Sequence, residues 1–257
     1  MDAISLAERS FPPYQRFAQF YDRVMGDAAA PVIRRCFERS RRHYDLRFSS
    51  AADVGCGTGT FLLHLARLCD RLYGVDRSAE MLAQARRKLP GANVTLLQQD
   101  LRRLRLPRPV DLITCMFDTL NYITTAAGVQ AALESARENL RNGGSLVFDV
   151  ITGAGEDGQA RRVRQRISLP GQLAIWRTRT DGSRYRSRVE MLWRSPWGPE
   201  RARTWREVHQ QRWHPLPWLC ALLRRCGLQV CGVHDVVSYQ PASPRTWWAH
   251  FVVRRCH

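Results

Sequence analysis

The feature that most constrains this sequence is a glycine-rich segment placed where a short apolar run meets a helical pattern. Asp53, Gly55, Gly57 and Gly59 follow the spacing D-x-G-x-G-x-G. Glycine lets the backbone take positive φ and approach a ligand closely, and the helix that follows offers unpaired N–H groups. The spacing is neither the G-x-G-x-x-G of dinucleotide sites nor a G-K-[ST] phosphate loop. An ordinary tight turn is the structural alternative.

Apolar runs and helical patterns alternate around this segment, which predicts a parallel, doubly wound α/β sheet. The predicted strands are 51–55, 72–76, 94–98, 110–116, 145–150, 228–234 and 247–254. The predicted helices among them are 58–69, 79–88, 128–140 and 217–226. We therefore expect residues 46–152 and 214–257 to form one Rossmann-like domain.

Two further segments flank or interrupt that domain. Helical patterns over 13–25 and 30–44 predict an N-terminal helical cap covering residues 1–45. Residues 153–213 alternate basic and apolar side chains with period two, which predicts an inserted antiparallel β subdomain, or lid, with one wet face. Turn signals at 181–182 and 195–199 divide its strands.

The charge of the chain is strongly positive and uneven. There are 40 basic and 23 acidic residues, for a net charge of +17, and Lys88 is the one lysine. Residues 151–257 hold 19 of the basic and 7 of the acidic residues. Such a surface attracts nucleic acid, membranes or anionic small molecules, although coding bias in a GC-rich genome is an alternative source of arginine.

Several classes of protein are not expected. The first residues lack a basic start and an apolar run, so no signal peptide is predicted. No apolar stretch approaches 18 residues, so we expect no membrane span. Eight cysteines without a C-x-x-C pair predict free thiols in a reducing cytoplasm and no metal site.

Acidic residues lie at the end of the second predicted strand and just after the third. Asp76 stands 17 residues past Gly59, where a carboxylate is placed to hold a ribose diol. The alternative is a helix N-cap role, because Ser78 and Glu80 also fit a helix start. Asp100 follows the next strand, and loops at the carboxyl ends of strands converge on one edge of the sheet.

Together these motifs resemble class I S-adenosylmethionine-dependent methyltransferases over about residues 45–150. The segments that carry the resemblance are Asp53–Gly59, Gly74–Leu82, Asp100–Leu101 and Leu140–Asp149. Phe20-Tyr21-Asp22-x-x-Met25 and Glu207-Val208-His209-x-x-Arg212-Trp213 are similar to small-molecule N-methyltransferases of the glycine/sarcosine and aminosugar types. The resemblance implies a mostly parallel sheet of seven strands.

The resemblance also implies S-adenosylmethionine as cofactor and assigns roles to its site residues. Gly55 and Gly57 line the methionine moiety, and Asp76 binds the ribose. Met81 and Leu101 pack on adenine, whose amino group Asp100 approaches, and Tyr21 closes over the cofactor. The remaining residues of the expected cofactor site are Asp53, Arg77 and Met116.

The segment Cys115–Tyr122, after the fourth strand of the domain, faces the acceptor in this class. It lacks the [DNS]-P-P-[YF] motif of base N-methylation, Cys115 lacks the preceding proline of cytosine C5 enzymes, and one aspartate makes no metal cluster. The candidate catalytic residues are Tyr21, Tyr122 and His209, and the candidate substrate residues are Asp118, Asn121, Tyr122 and Arg212. Structural alternatives are a turn cap for Asp118, core packing for Tyr122 and solvent exposure for His209.

The leading functional hypothesis is methyl transfer to an amine nitrogen of a small metabolite by in-line displacement. Such a transfer needs alignment and a neutral acceptor, so no obligatory base is expected. Arg212 is placed to meet an anionic group if the acceptor carries one. The alternatives are O- or C-methylation of a similar metabolite, RNA methylation through the basic C-terminal surface, and a non-catalytic cofactor-binding scaffold.

Overall fold

Two β-sheets and five α-helices make up the part of the chain that the structure describes. The computed structural model describes residues 9–89, 91, 93–153, 162–169, 172–180, 186–194 and 205–256. The strands are β1 Arg9–Phe11, β2 Ser50–Val54, β3 Arg71–Asp76, β4 Val94–Gln98, β5 Val110–Cys115, β6 Leu140–Ile151, β7 Arg162–Leu169, β8 Gln172–Thr180, β9 Arg186–Arg194, β10 Trp205–Arg212, β11 Leu228–Asp235 and β12 Trp248–Arg255. The α-helices are α1 Asp27–His43, α2 Leu62–Leu65, α3 Ala79–Lys88, α4 Ala126–Asn139 and α5 Leu216–Arg225.

The larger sheet has seven strands in the order β11-β12-β6-β5-β2-β3-β4. Strands β2 to β6 pair in parallel, whereas β12 runs antiparallel to both β6 and β11. Strand β2, which lies between β5 and β3, is buried along its whole length because both faces of the sheet are covered. The predicted Rossmann-like, mostly parallel seven-stranded fold is confirmed.

Helices cover both faces of this sheet and bury two apolar clusters. Leu133 of α4 and Leu223 of α5 belong to one cluster, and Phe37 of α1 and Leu82 of α3 belong to the other. Each such side chain contributes about 1.5–3 kcal/mol by leaving water. These clusters fix the loops at the carboxyl ends of β2, β3, β4 and β5, which form the site described below.

The smaller sheet has the order β1-β10-β9-β8-β7, and its strand β10 contacts the loop after β5. Strands β7 to β10 pair antiparallel in the segment where an antiparallel insertion is predicted. Strand β1 was not expected, and it pairs in parallel with β10, with Phe11 opposite Glu207. The predicted turns at 181–182 and 195–199 lie outside the described residues. The division of the chain into cap, domain and insertion stays a prediction.

The helix predicted over 13–25 is wrong. The segment contains a 3₁₀ turn at Phe17–Gln19 and a π-helix at Asp22–Gly26. Pro12 and Pro13 lack N–H donors, and Tyr14 has a left-handed φ of 68°. The N–H groups of Tyr14, Arg16 and Phe17 bond to Glu207. A side chain far away in the sequence therefore binds the donors that begin a regular helix.

The helix after the glycine segment is also shorter than predicted, covering 62–65 rather than 58–69. Gly59 has a φ of 81°, which prevents an earlier start. After residue 65 the chain continues in turns, with the N–H of Arg67 bonded to the carbonyl of His64. The eight cysteines are free thiols. Among the described residues, we find no helix with the length and apolarity to cross a membrane.

Candidate functional site

The glycine turn between β2 and α2 forms one wall of a cavity at the sheet edge. Gly55 and Gly57 have φ values of 75° and 54°, in the region that favours glycine. A Cβ atom on Gly55 would lie 2.5 Å from Thr119 Oγ1, whereas a Cβ on Gly57 would meet nothing within 4 Å. The backbone at Gly57 is therefore open to a ligand, and the backbone at Gly55 is packed on the next loop.

Asp76, at the end of β3, is fixed by this turn. Its two carboxylate oxygens accept the N–H of Gly57 at 2.9 Å and the N–H of Ser78 at 2.8 Å. Burial raises the pKa of its carboxyl. Ser78, and not Asp76, is the N-cap of α3, since its hydroxyl accepts the N–H of Met81 at 3.2 Å. Asp76 thus faces the cavity on the edge where a ribose was predicted.

Nine of the predicted site residues line this one cavity. They are Tyr21, Gly55, Gly57, Asp76, Arg77, Met81, Asp100, Leu101 and Tyr122. Asp100 is paired with Arg102, whose Nε lies 2.9 Å and Nη2 2.5 Å from its oxygens. This pairing lowers the pKa of Asp100. The cavity therefore brings together the glycine turn, both acids and two tyrosines.

Two predicted cofactor residues lie beneath the cavity and not in its lining. Asp53 is 2% exposed, and it accepts the hydroxyl of Thr114 at 2.6 Å. Its burial raises its pKa to about 7. Met116 is buried in the apolar cluster under α1, and its carbonyl accepts the hydroxyl of Thr119 at 2.8 Å. Both residues therefore pack behind the residues that line the cavity and do not face it.

Asn121 and Asp118 tie the loop after β5 to neighbouring strands. Asn121 is fully buried. Its Nδ2 donates to the carbonyls of Ile151 and of Arg212, the second at 2.7 Å, and its Oδ1 accepts the N–H of Ile151. Those three bonds leave little capacity for a substrate. Asp118 accepts the side-chain amide of Gln211, and burial followed by repulsion from Asp149 raises its pKa to about 7.

Arg212 lies at the end of β10, behind the rim of the cavity. Its Nη1 donates to the carbonyl of Thr124 at 3.2 Å, and Thr124 lines the cavity. Arg77 reaches the cavity itself, with its guanidinium 6.0 Å from the ring centre of Tyr122. The side chains of 154–206, on which the expectation of an RNA-binding surface mainly rests, lie outside the described residues.

His209 is not exposed to solvent. It is 1% exposed, and its Nδ1 lies 3.0 Å from the hydroxyl of Tyr122, while its Nε2 lies 3.4 Å from Glu207. The Tyr122 hydroxyl is 2.5 Å from that of Tyr14, another cavity residue. Burial raises the pKa values of both tyrosines. Tyr122 and His209, two of the candidate catalytic residues, thus belong to one longer chain of hydrogen bonds.

Sequence reasoning missed Tyr14, Phe117, Thr119 and Glu207 as site residues. No local signal marks Tyr14, whose partner Glu207 stands 193 positions away. The alternation Glu207-x-His209-x-Gln211 could have shown three polar groups on one face of β10. Tyr14, Phe117 and Asp118 all have left-handed φ values, and backbone strain of this kind is common at functional sites.

A polar cluster, here named the Lys88 clasp, holds the N-terminal segment on the glycine turn. Lys88 Nζ lies 2.7 Å from Asp22, 3.0 Å from Thr58 Oγ1 and 2.8 Å from Thr60 Oγ1. Thr58 also donates to Asp22 at 2.5 Å. Because Tyr21 precedes Asp22, the clasp keeps Tyr21 over the cavity. Within the described ranges, no three His, Cys, Asp or Glu side chains are grouped to hold a metal ion.

Comparison with known proteins places this architecture in a class. Residues 51–144 match the family model described as "Methyltransferase domain". The structure resembles an S-adenosylmethionine-dependent methyltransferase from Clostridium acetobutylicum with a TM-score of 0.81 and 22% identity, covering 95% of this chain and 99% of that one. The predicted resemblance to class I S-adenosylmethionine-dependent methyltransferases is confirmed.

Two of the relatives that are similar in sequence show what kinds of protein this chain resembles. One is the dTDP-3-amino-3,4,6-trideoxy-α-D-glucopyranose N,N-dimethyltransferase of Streptomyces venezuelae, 40% identical over 39% of this chain and 42% of the relative. The chain therefore spans less than two thirds of that relative's length. The other is a putative methyltransferase of Bacillus subtilis, 29% identical over 90% of this chain and 92% of the relative. The predicted resemblance to aminosugar N-methyltransferases is confirmed.

Proposed function

We propose that the protein is an S-adenosylmethionine-dependent methyltransferase that acts on an amine nitrogen of a small molecule, with aminosugars as the first acceptor class to test. The observation that carries the proposal is a single cavity with two kinds of lining. The glycine turn and Asp76 line it, and so do Tyr14 and Tyr122, the second of which bonds to His209 of β10. One cavity therefore offers groups for a cofactor and groups for a polar acceptor.

The residues present fit the cofactor. Gly57 leaves its backbone uncovered, Met81 and Leu101 offer apolar surface, and Asp76 has lone pairs left for a diol beyond its two N–H bonds. When bound, S-adenosylmethionine supplies an electrophilic methyl group on a sulfonium. The task of the chain is then to align the acceptor and exclude water, for which Tyr21, held by the Lys88 clasp, is placed.

Two relatives and the lining of the cavity favour an amine on a sugar as the acceptor. The Streptomyces venezuelae relative and a Streptomyces fradiae relative, 36% identical over 50% of this chain, are each N,N-dimethyltransferases of dTDP-aminosugars. Tyr14 and Tyr122, which line the cavity, offer hydroxyl groups for binding a polar sugar. O- and C-methylation, RNA methylation and a scaffold role remain the alternatives to be tested.

The test uses S-adenosylmethionine with a deuterated methyl group and dTDP-3-amino-3,4,6-trideoxy-α-D-glucopyranose, with the matched 3-hydroxy sugar nucleotide as control. Mass spectrometry is expected to show one or two labelled methyl groups on the amino sugar and none on the hydroxy sugar. Label on the hydroxy sugar alone would overturn the nitrogen assignment. No label on either, with the cofactor bound, would overturn the aminosugar assignment.

A further inference from the structure

A continuous chain of hydrogen bonds, here named the Tyr14 chain, runs from the cavity into the smaller sheet. Tyr14 and Tyr122 are joined at 2.5 Å, Tyr122 and His209 Nδ1 at 3.0 Å, and His209 Nε2 and Glu207 at 3.4 Å. His209 and Glu207 are 1% and 0% exposed. The two tyrosines line the cavity, so the chain has one end at the cavity and one end buried away from solvent.

Glu207 fixes the direction of this chain. Its Oε1 accepts the N–H of Arg16 at 2.5 Å and of Phe17 at 2.9 Å, and its Oε2 accepts the N–H of Tyr14 at 2.8 Å. An ionised carboxylate can only accept hydrogen bonds. The three donors around Glu207 stabilise that form. Beside an ionised Glu207, His209 Nε2 carries the proton of the hydrogen bond between the two side chains.

The proton on His209 Nε2 then determines which group donates in each of the other two hydrogen bonds of the Tyr14 chain. A neutral imidazole with a proton on Nε2 has a lone pair on Nδ1, so the hydroxyl of Tyr122 donates to it. A phenol has one proton, so the Tyr122 oxygen accepts from Tyr14. Tyr14 in turn has used its proton and presents only lone pairs to the cavity.

From this we propose that Glu207 polarises the Tyr14 chain so that its cavity end accepts hydrogen bonds, selecting an N–H donor such as an ammonium group and conducting its proton to His209. The inference rests on the proposed methyl transfer to an amine. It goes beyond it by assigning Tyr14 and Tyr122 as acceptor-binding groups and Glu207 as a positioning residue that acts through His209.

The proton transfer balances within the chain. The ammonium N–H bond breaks as its proton binds the oxygen of Tyr14, while the proton of Tyr14 moves to Tyr122 and that of Tyr122 moves to His209 Nδ1. Both phenols are restored, and the product is a neutral amine beside an imidazolium that is paired with Glu207. The amine lone pair is then free to attack, as methyl transfer requires.

The direction of the chain is tested without substrate by ¹⁵N NMR of histidine-labelled protein. We expect His209 to show a protonated Nε2 and an unprotonated, hydrogen-bonded Nδ1. In Glu207→Gln, whose amide can donate to Nε2, the proton is expected to move to Nδ1. A proton on Nδ1 in the unaltered protein would overturn the proposal, as would an unchanged tautomer in Glu207→Gln with its fold intact by circular dichroism.

Its function is tested by pH profiles of transfer to the dTDP-aminosugar, comparing His209→Gln with the exposed control His43→Gln. General-base assistance of this kind contributes about 10²-fold or more. We expect kcat of His209→Gln to fall about 100-fold at pH 6.5 and to recover to within about tenfold at pH 9.5, where free amine forms in solution. Tyr14→Phe is expected to raise KM as well.

A loss that is the same at every pH would assign His209 a purely structural role and overturn the relay. Absence of transfer by the unaltered protein would instead overturn the proposed function, while the NMR result would still decide the direction of the chain. The control His43→Gln is expected to follow the unaltered profile, because that side chain lies on α1, outside the cavity lining.

Discussion

Single residues at the cavity hold backbone conformations that their neighbours must stabilise. Phe117 and Asp118 have left-handed φ values of 59° and 48°, each of which costs on the order of 1 kcal/mol. Asp149 secures them, because its Oδ2 accepts the N–H of Asp118 at 3.0 Å and the indole N–H of Trp248 at 2.6 Å. The other oxygen of Asp149 is buried with no hydrogen-bond partner.

This arrangement predicts that Asp149→Asn raises the free energy of unfolding by an amount that depends on pH. Burial raises the pKa of Asp149 to about 6, so between about pH 4 and pH 6 the folded state keeps a proton that the unfolded state releases. Stability from this group therefore falls as pH rises through that window. Asparagine is always neutral, so relative to the unaltered protein the variant is expected to gain roughly 1–3 kcal/mol between pH 4 and pH 7.

Urea unfolding of both proteins at pH 4, 5, 6 and 7 measures this difference. Ionisable groups distant from residue 149 cancel in the comparison. Asp118 does not, because repulsion from Asp149 contributes to its raised pKa, and the substitution removes that repulsion. A stability difference that stays constant across the range would show that Asp149 is ionised in the folded state at acidic pH.

At the scale of elements, the glycine turn is held by packing on one side and is open on the other. Both Gly55→Ala and Gly57→Ala place alanine at a left-handed φ, which costs stability. In Gly55→Ala the new Cβ also overlaps Thr119, whereas in Gly57→Ala it meets no atom within 4 Å. The left-handed conformation costs about 1–2 kcal/mol and overpacking about 1–3 kcal/mol more. Gly55→Ala is therefore expected to unfold at clearly lower urea concentration than Gly57→Ala, and equal midpoints would contradict the packing described.

The Lys88 clasp joins three elements, namely the N-terminal segment, the glycine turn and α3. Lys88→Met removes its ammonium, so the 14–26 segment is expected to exchange amide hydrogens faster and S-adenosylmethionine to bind about five- to tenfold more weakly, the equivalent of about 1 kcal/mol. Exposed Arg87 on the same helix provides the matched control Arg87→Met. Unchanged exchange in Lys88→Met would mean that the bonds to Glu207 and the bond from Thr58 to Asp22 hold the segment without Lys88.

At the scale of the whole molecule, the larger sheet could be predicted because its signals are local. Strand β4 and helix α3 have the bounds that periodicity predicts. Asp76 ends β3 and Asp100 follows β4, as expected. The N-terminal segment could not be predicted, because its form depends on Glu207, about 190 residues later. For the same reason β1, whose partner is β10, left no pattern of its own.

The site residues show the same difference between local signals, which can be predicted, and long-range contacts, which cannot. Gly55, Gly57, Asp76 and Met81 belong to contiguous motifs, and the structure brings them together in one cavity. Asn121 and Arg212 were expected to meet substrate, but the structure places them in backbone bonds between distant strands. Periodicity reports which face a residue occupies, and only the assembled fold shows which partner already uses its polar atoms.

Isothermal titration calorimetry measures whether the cavity binds S-adenosylmethionine with Asp76 on its ribose. Asp76→Ala is compared with Asp70→Ala, an exposed acid just before the start of the same strand. Hydrogen bonds to a charged group are worth about 1.5–3 kcal/mol. We predict one-to-one binding that Asp70→Ala leaves unchanged and Asp76→Ala weakens about tenfold or more. No binding by the unaltered protein, or equal affinity in Asp76→Ala, would contradict the account.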